Sequence, residues 1–162
     1  MEYPIEIKLG TYTLRVYEDL TATKKQITNK YGERWIPIKF TKEKNYYRFT
    51  LTIDGKRFHF RRHRLIYYAH NKDWDIFDTT MNNHIDHING TKEGDYIHNL
   101  RNVTNHQNTY NRQHTKGYYW CKNHTKWIAH IGVDRKQIVI YCDTEEEAIE
   151  ARKQLKIKYH KI

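Results

Sequence analysis

Cysteine occurs only twice in the 162 residues, as Cys121 and Cys142, too few for a disulfide framework. No apolar run approaches the length of a membrane span. The opening "MEYPIEIKLG" lacks the charged-then-apolar pattern of a secretory signal, and a reducing, intracellular setting is the expectation. Apolar residues are also scarce, at 38% of the chain with a mean hydropathy of -1.01. A single large oily core is therefore excluded. The 14 Tyr and 4 Trp supply bulky packing groups, and several small cores fit this composition better than one big one.

Acidic residues are outnumbered, 19 against 29 Lys and Arg, which leaves a formal charge of +10 and a pI near 9.5. A polyanionic partner follows, because Lys and Arg gain binding free energy by releasing counterions condensed on phosphates. Nucleic acid leads. A membrane surface is disfavoured, since the basic residues are dispersed and no basic amphipathic helix with a broad apolar face is present.

The first 30 residues say little beyond a first strand around Ile5 to Tyr17. "YYRFTLTIDGKRFHF" alternates bulky and polar residues around Asp54-Gly55, a hairpin turn pair, and predicts a two-stranded ribbon joined to a strand at Trp35 to Phe40. Arg48, Lys56, Arg57, Arg61 and Arg62 sit among its aromatics. That pattern suits a β-ribbon in a DNA groove with cations on phosphates, and equally the solvated face of any sheet. "RHRLIYYAHN" then places Leu65, Ile66, Tyr68 and Ala69 at helical spacing. His59, His63 and His70 lie nearby, but a helix starting near Arg62 leaves His59 on the preceding strand, so they read as structural or phosphate-contacting residues rather than a metal cluster.

At the centre, "NNHIDHI" predicts a strand ending in a turn at Asn89-Gly90, and "IHNLRNV" its partner strand. "TNHQ" is a capping box that puts Thr104 at the N-cap of a short helix running through Asn108 toward Gln113. Two strands and a helix make a ββα finger. Asp86 and Asn108 offer hard oxygen ligands suited to Mg²⁺ or Mn²⁺. The His87 imidazole suits a base that deprotonates water, and Asn99 on the facing strand can hold its other ring nitrogen through an amide oxygen. His84 and His106 flank this set. A surface or phosphate contact fits His106, and a phosphate contact and a structural role fit His84 equally.

At these residues the sequence resembles the HNH endonucleases, specifically the phage intron-type homing and nicking enzymes: "DHINGTK", "NLRNVT" and "HQN" match their pattern in order and spacing. The resemblance spans about residues 31 to 113. It implies that Asp86 and Asn108 are metal ligands, His87 the base and Asn99 its orienter. Asn stands where the third His of the name would be, which argues against zinc there. Asp95, Tyr96 and His98 depart from the Asn, Arg and Glu frequent between the family's strands.

Beyond this, "KGYYW", "KWIAHI" and "QIVIYCD" form three strand-like runs, and "TEEEAIEARKQLKIKYH" an amphipathic helix capped by Thr144 and Glu147. The helix would lay Ala148, Ile149, Ala151, Leu155 and Tyr159 on one sheet face. This module resembles the plant APETALA-type domain through "GYYW", "KWIAHI" and "CDTEEEA", which implies a sheet presented to the DNA major groove. Tyr119, Cys121 and His130 then face the groove where plant domains carry Arg or Glu. Lys116, Lys122, Lys126, Arg135 and Lys136 are expected on phosphates. Trp120 and Trp127 read as packing residues, and Cys121, His124 and Cys142 lack a fourth ligand for zinc.

The sequence therefore predicts an α+β chain in three parts: a β-rich segment at 1–60, a nuclease finger at 61–114 and a DNA-binding module at 115–162. The expected activity is a metal-dependent endonuclease acting on double-stranded DNA. It is expected as a monomer or weak dimer with no obligatory protein partner, in a phage host's cytoplasm. A monomer would nick one strand to leave 5′-phosphate and 3′-hydroxyl ends, and a double-strand break would require a dimer or two sequential events. The rivals are a DNA-binding regulator without catalysis and a restriction or packaging nuclease.

Overall fold

Alternation of buried and exposed residues along Ile5–Leu9 (β1) and Tyr12–Val16 (β2) sends Ile5, Ile7, Leu9, Leu14 and Val16 inward. The single early strand expected from Ile5 to Tyr17 is thus two, reversed at Gly10. Gly10 has φ +58, and a Cβ there would run into the Ile53 side chain. Ala22–Thr28 (β3) and Gly32–Pro37 (β4) complete an antiparallel meander in the order β1-β2-β3-β4. The computed structural model describes residues 2–80, 83–110, 116–133 and 135–159. They fall into two units, Met1–Asn102 and Val103–Ile162, with an apolar cluster in each.

The ribbon forms as its sequence predicts. Tyr46–Ile53 (β6) and Lys56–Arg61 (β7) pair antiparallel around Asp54 and Gly55, whose positive φ values of 50° and 75° suit a two-residue hairpin turn. Phe49, Leu51, Ile53 and Phe60 line its buried face. The third strand of this sheet is Thr41–Glu43 (β5), not the expected Trp35 to Phe40. Trp35 instead pairs with Lys25 in the first sheet, and the Ile38 N–H extends that sheet by donating to the Ala22 carbonyl at 2.8 Å.

Helix Arg62–His70 (α1) buries Leu65, Ile66 and Ala69. His84–His87 (β8) pairs with Leu100–Val103 (β9). Residues Ile97–Asn99, expected as the start of that second strand, form a 3₁₀ turn, and another spans Thr91–Glu93. Asn105–Tyr110 (α2) follows. Its capping box closes both ways, Thr104 N–H to Gln107 Oε1 at 2.9 Å and Gln107 N–H to Thr104 Oγ1 at 3.2 Å. The expected continuation toward Gln113 lies outside the described residues.

In the second unit, Tyr118–Cys121 (β10), Lys126–Val133 (β11) and Lys136–Cys142 (β12) form an antiparallel sheet in chain order. Glu145–Tyr159 (α3) covers one face. Ala148 and Leu155 are buried there, with Ala151 and Tyr159 packed around them. Ile149, expected on this face, is exposed, because one step along a helix turns it about 100° from Ala148. Thr144 and Glu147 form the second capping box. The chain is α+β throughout, and no described helix is long and apolar enough to cross a membrane.

Candidate active site

Strand β8 carries Ile85, Asp86 and His87 in succession, all buried. Ile85 joins the core. The Asp86 carboxylate receives Arg101 from the paired strand through Nε at 3.1 Å and Nη2 at 2.9 Å, both on Oδ2. The His87 ring engages a different set of neighbours. Its Nε2 donates to Asp95 Oδ1 at 2.8 Å, and its ring lies 5.1 Å from that of His63 and 6.0 Å from that of Tyr46. Neighbouring strand residues point to opposite sides, and these separate partners follow from that alternation.

Asp95 is the centre of the arrangement. Its second oxygen accepts Arg62 Nε at 2.7 Å, and the Arg62 guanidinium lies 4.0 Å over the Tyr47 ring. Burial raises the cost of the Asp95 charge, but hydrogen bonds from His87 and Arg62 outweigh it and hold the carboxyl below its ordinary value. Arg62, expected among the phosphate contacts, is turned inward to this carboxylate. Its side chain is only 15% exposed.

Asn99 is fully buried. Its amide oxygen accepts the Asn89 backbone N–H at 2.8 Å, and its Nδ2 donates to the carbonyls of Gly90 at 3.1 Å and Gly94 at 2.9 Å. Those bonds brace the loop that delivers Asp95, so the amide oxygen expected on the His87 ring is engaged by the Asn89 N–H instead. Asp95 Oδ1 meets the ring at Nε2. Asn108, half-buried, lies on α2 in the second unit. His84 is half-buried on β8, and exposed His106 packs its ring against Tyr110.

His63, on the first turn of α1, is 7% exposed, and its Nδ1 has no hydrogen-bond partner among the described residues. Burial, then the neighbouring His87, lowers its pKa to about 3. His63, His87 and Asp95 each offer a ligand atom, all within 4.8 Å of one another. The neighbours of His63 in this set come from β8 and the loop rather than from His59, so sequence spacing carries no sign of the grouping. His59 bonds Thr50, and His70 bonds Tyr3 and the Ile66 carbonyl. Asp95 carried a faint signal, as one of the three positions where the chain departs from the family pattern.

On the ribbon, the pairing of Arg48 with Arg61 and of Thr52 with Arg57 puts these cations on the face opposite Phe49 and Phe60. Glu43 shares Arg48 and Arg61, at 3.7 and 2.9 Å. Lys56 is exposed beside the turn. A cleft of about 350 Å³ is lined by Lys24, Lys39, Arg48, Arg57 and His59, with no carboxylate among its lining residues.

In the second unit, register places Tyr119, Cys121 and His130 on the face away from α3. The His130 ring lies 5.7 Å from that of Tyr119, and its Nδ1 accepts from Gln137 Nε2 at 3.0 Å. Lys116, Lys122, Arg135 and Lys136 are exposed, and Lys126 is ion-paired with Asp143. Trp127 packs on the core as expected, and Trp120 is 45% exposed.

No protein-family model matches the chain, and no curated protein matches it. Among solved structures, the HNH homing endonuclease I-HmuI, described in terms of its DNA binding and cleavage, is similar over 96% of this chain and 87% of its own. The identity is 24% and the TM-score 0.44. Similarity at that level leaves function to be read from the side chains.

Proposed function

We propose that this chain is a metal-dependent DNA endonuclease of the HNH type that nicks one strand of a duplex. The observation that carries the reading is a buried His87 whose Nε2–H is held by a carboxylate, on the residue next to Asp86 and inside the "DHINGTK" pattern. A neutral imidazole donating from Nε2 keeps its lone pair on Nδ1, the atom that takes a proton from water. Asp95 then stabilises the imidazolium that forms, and Arg62 keeps Asp95 ionised and aimed.

Asp86 fits as a ligand for a hard cation because it presents carboxylate oxygen. Asn108 would supply a carboxamide oxygen, as the resemblance implies. When bound, a divalent ion of the Mg²⁺ class neutralises charge developing on the phosphate and the leaving oxygen. Asp86 is kept in place for this by Arg101, which donates to its Oδ2 through Nε and Nη2.

The cationic cleft beside the ribbon and the outer sheet face of the second unit support double-stranded DNA as the substrate. The cleft lacks carboxylates, and the outer face presents Tyr119 and His130. Plasmid relaxation with Mg²⁺, and with EDTA as control, tests the activity. His87→Ala should abolish nicking while DNA binding persists, and normal nicking by that variant would refute the base assignment.

One observation favours a second reading, a DNA-binding protein that does not cut. Both guanidinium bonds of Arg101 fall on Asp86 Oδ2, so a cation must compete with an ion pair for that carboxylate. Mg²⁺-independent binding without relaxation under any divalent ion would select it.

A further inference from the structure

We propose that His63, His87 and Asp95 form an inhibitory site for a borderline transition cation of the Zn²⁺ class, separate from the hard-cation ligands Asp86 and Asn108. Two imidazoles and one carboxylate are the donor set that such ions take, while Mg²⁺ prefers an oxygen shell. The three ligand atoms already lie within 4.8 Å of one another. Tetrahedral ligation at about 2.0–2.2 Å separates donors by roughly 3.3 Å. The 2.8 Å contact between His87 Nε2 and Asp95 Oδ1 would open by a small amount, and His63 would close in.

His63 supplies an independent sign. It is buried in the first unit with an Nδ1 that has no partner among the described residues, and a buried polar atom left unpaired is costly unless something satisfies it. The nearby charge also suits a cation: Asp95 is ionised and both imidazoles are neutral when they ligate. Arg62, at 2.7 Å from Asp95, opposes the ion. The site should therefore be one that fills and empties rather than a permanent structural centre.

The inhibition rests on the reading of His87 as base, although binding does not. A cation on Nε2 takes the lone pair of that nitrogen and shifts the ring proton to Nδ1. The proton is conserved, but Nδ1 can no longer accept one from water. Occupancy thus silences the base without removing any residue, and it also breaks the hydrogen bond to Asp95.

The test uses the full chain with Co²⁺ as the spectroscopic probe and Zn²⁺ as competitor. Wild type should bind about one Co²⁺ with the intense visible absorption of four-coordinate cobalt and release it to Zn²⁺. His63→Phe, which keeps ring volume, and His63→Leu should each lose about tenfold or more in Co²⁺ affinity. Both should nick normally with Mg²⁺ alone and need about tenfold more Zn²⁺ to be half inhibited. Unchanged Co²⁺ binding in both variants would overturn the site, as would a thiolate-to-cobalt charge-transfer band, which would put the ion on Cys121 or Cys142. Co²⁺ binding at His63 with nicking indifferent to Zn²⁺ would overturn the inhibitory role. A wild type that never nicks would refute the nuclease reading, and the cobalt spectra would still decide the site.

Discussion

Asp95 bridges His87 and Arg62, one carboxylate oxygen to each, at 2.8 and 2.7 Å. Asp95→Asn keeps the shape but offers one acceptor oxygen, and it cannot stabilise an imidazolium by charge. Nicking should fall by about 10- to 100-fold with little change in DNA affinity. Rates measured alongside binding isotherms check this, and a proportional loss of both would show that Asp95 serves folding alone.

Arg62→Ala separates the two meanings of a cation near the ribbon. Because Arg62 is committed to Asp95, its removal should slow nicking and leave the salt dependence of DNA binding unchanged. Arg57→Ala, from the cationic cleft, should lower the slope of log affinity against log salt by about 1 and spare the chemistry. Salt titrations of both variants distinguish them.

Asn99→Ala removes three hydrogen bonds from a fully buried carboxamide and leaves the Asn89 N–H and two carbonyls without their partner. A loss of about 2–4 kcal/mol is expected, measurable by urea unfolding. Nicking should fall as well, since the loop that presents Asp95 is released.

His63 gives the stability a pH dependence. Its folded pKa of about 3 lies below the ordinary 6.5, so below about pH 6.5 the unfolded chain takes a proton that the folded chain refuses. Stability therefore declines as pH falls through that window toward 3, by about 1.4 kcal/mol per unit for one proton. His63→Phe should flatten the curve between pH 6 and 5. Unfolding free energies of both proteins across that range test the sign, and parallel curves would contradict it.

Much of the fold was legible because its signals are local. The Asp54-Gly55 turn, the helix from Arg62 and both capping boxes each lie within a few residues of chain. The misplaced strand at Trp35 to Phe40 shows the limit: its residues favour extended backbone, but pairing is chosen between segments, and Lys25 offered the partner. Asp86 and His87 were legible through their pattern. Asp95, Arg62 and His63 were not, because their roles arise from a 33-residue contact between Arg62 and Asp95 and from burial that only the packed unit defines. Ile149 was lost to a smaller cause, one helical step.

The Asn99 clamp has an engineering consequence. It grips the chain at Asn89, Gly90 and Gly94, so the span between these anchors is pinned at both ends whatever its own composition. Lys92 and Glu93 within it are exposed. A fluorophore or short tag grafted there should ride on the molecule without disturbing the chemistry a few residues away.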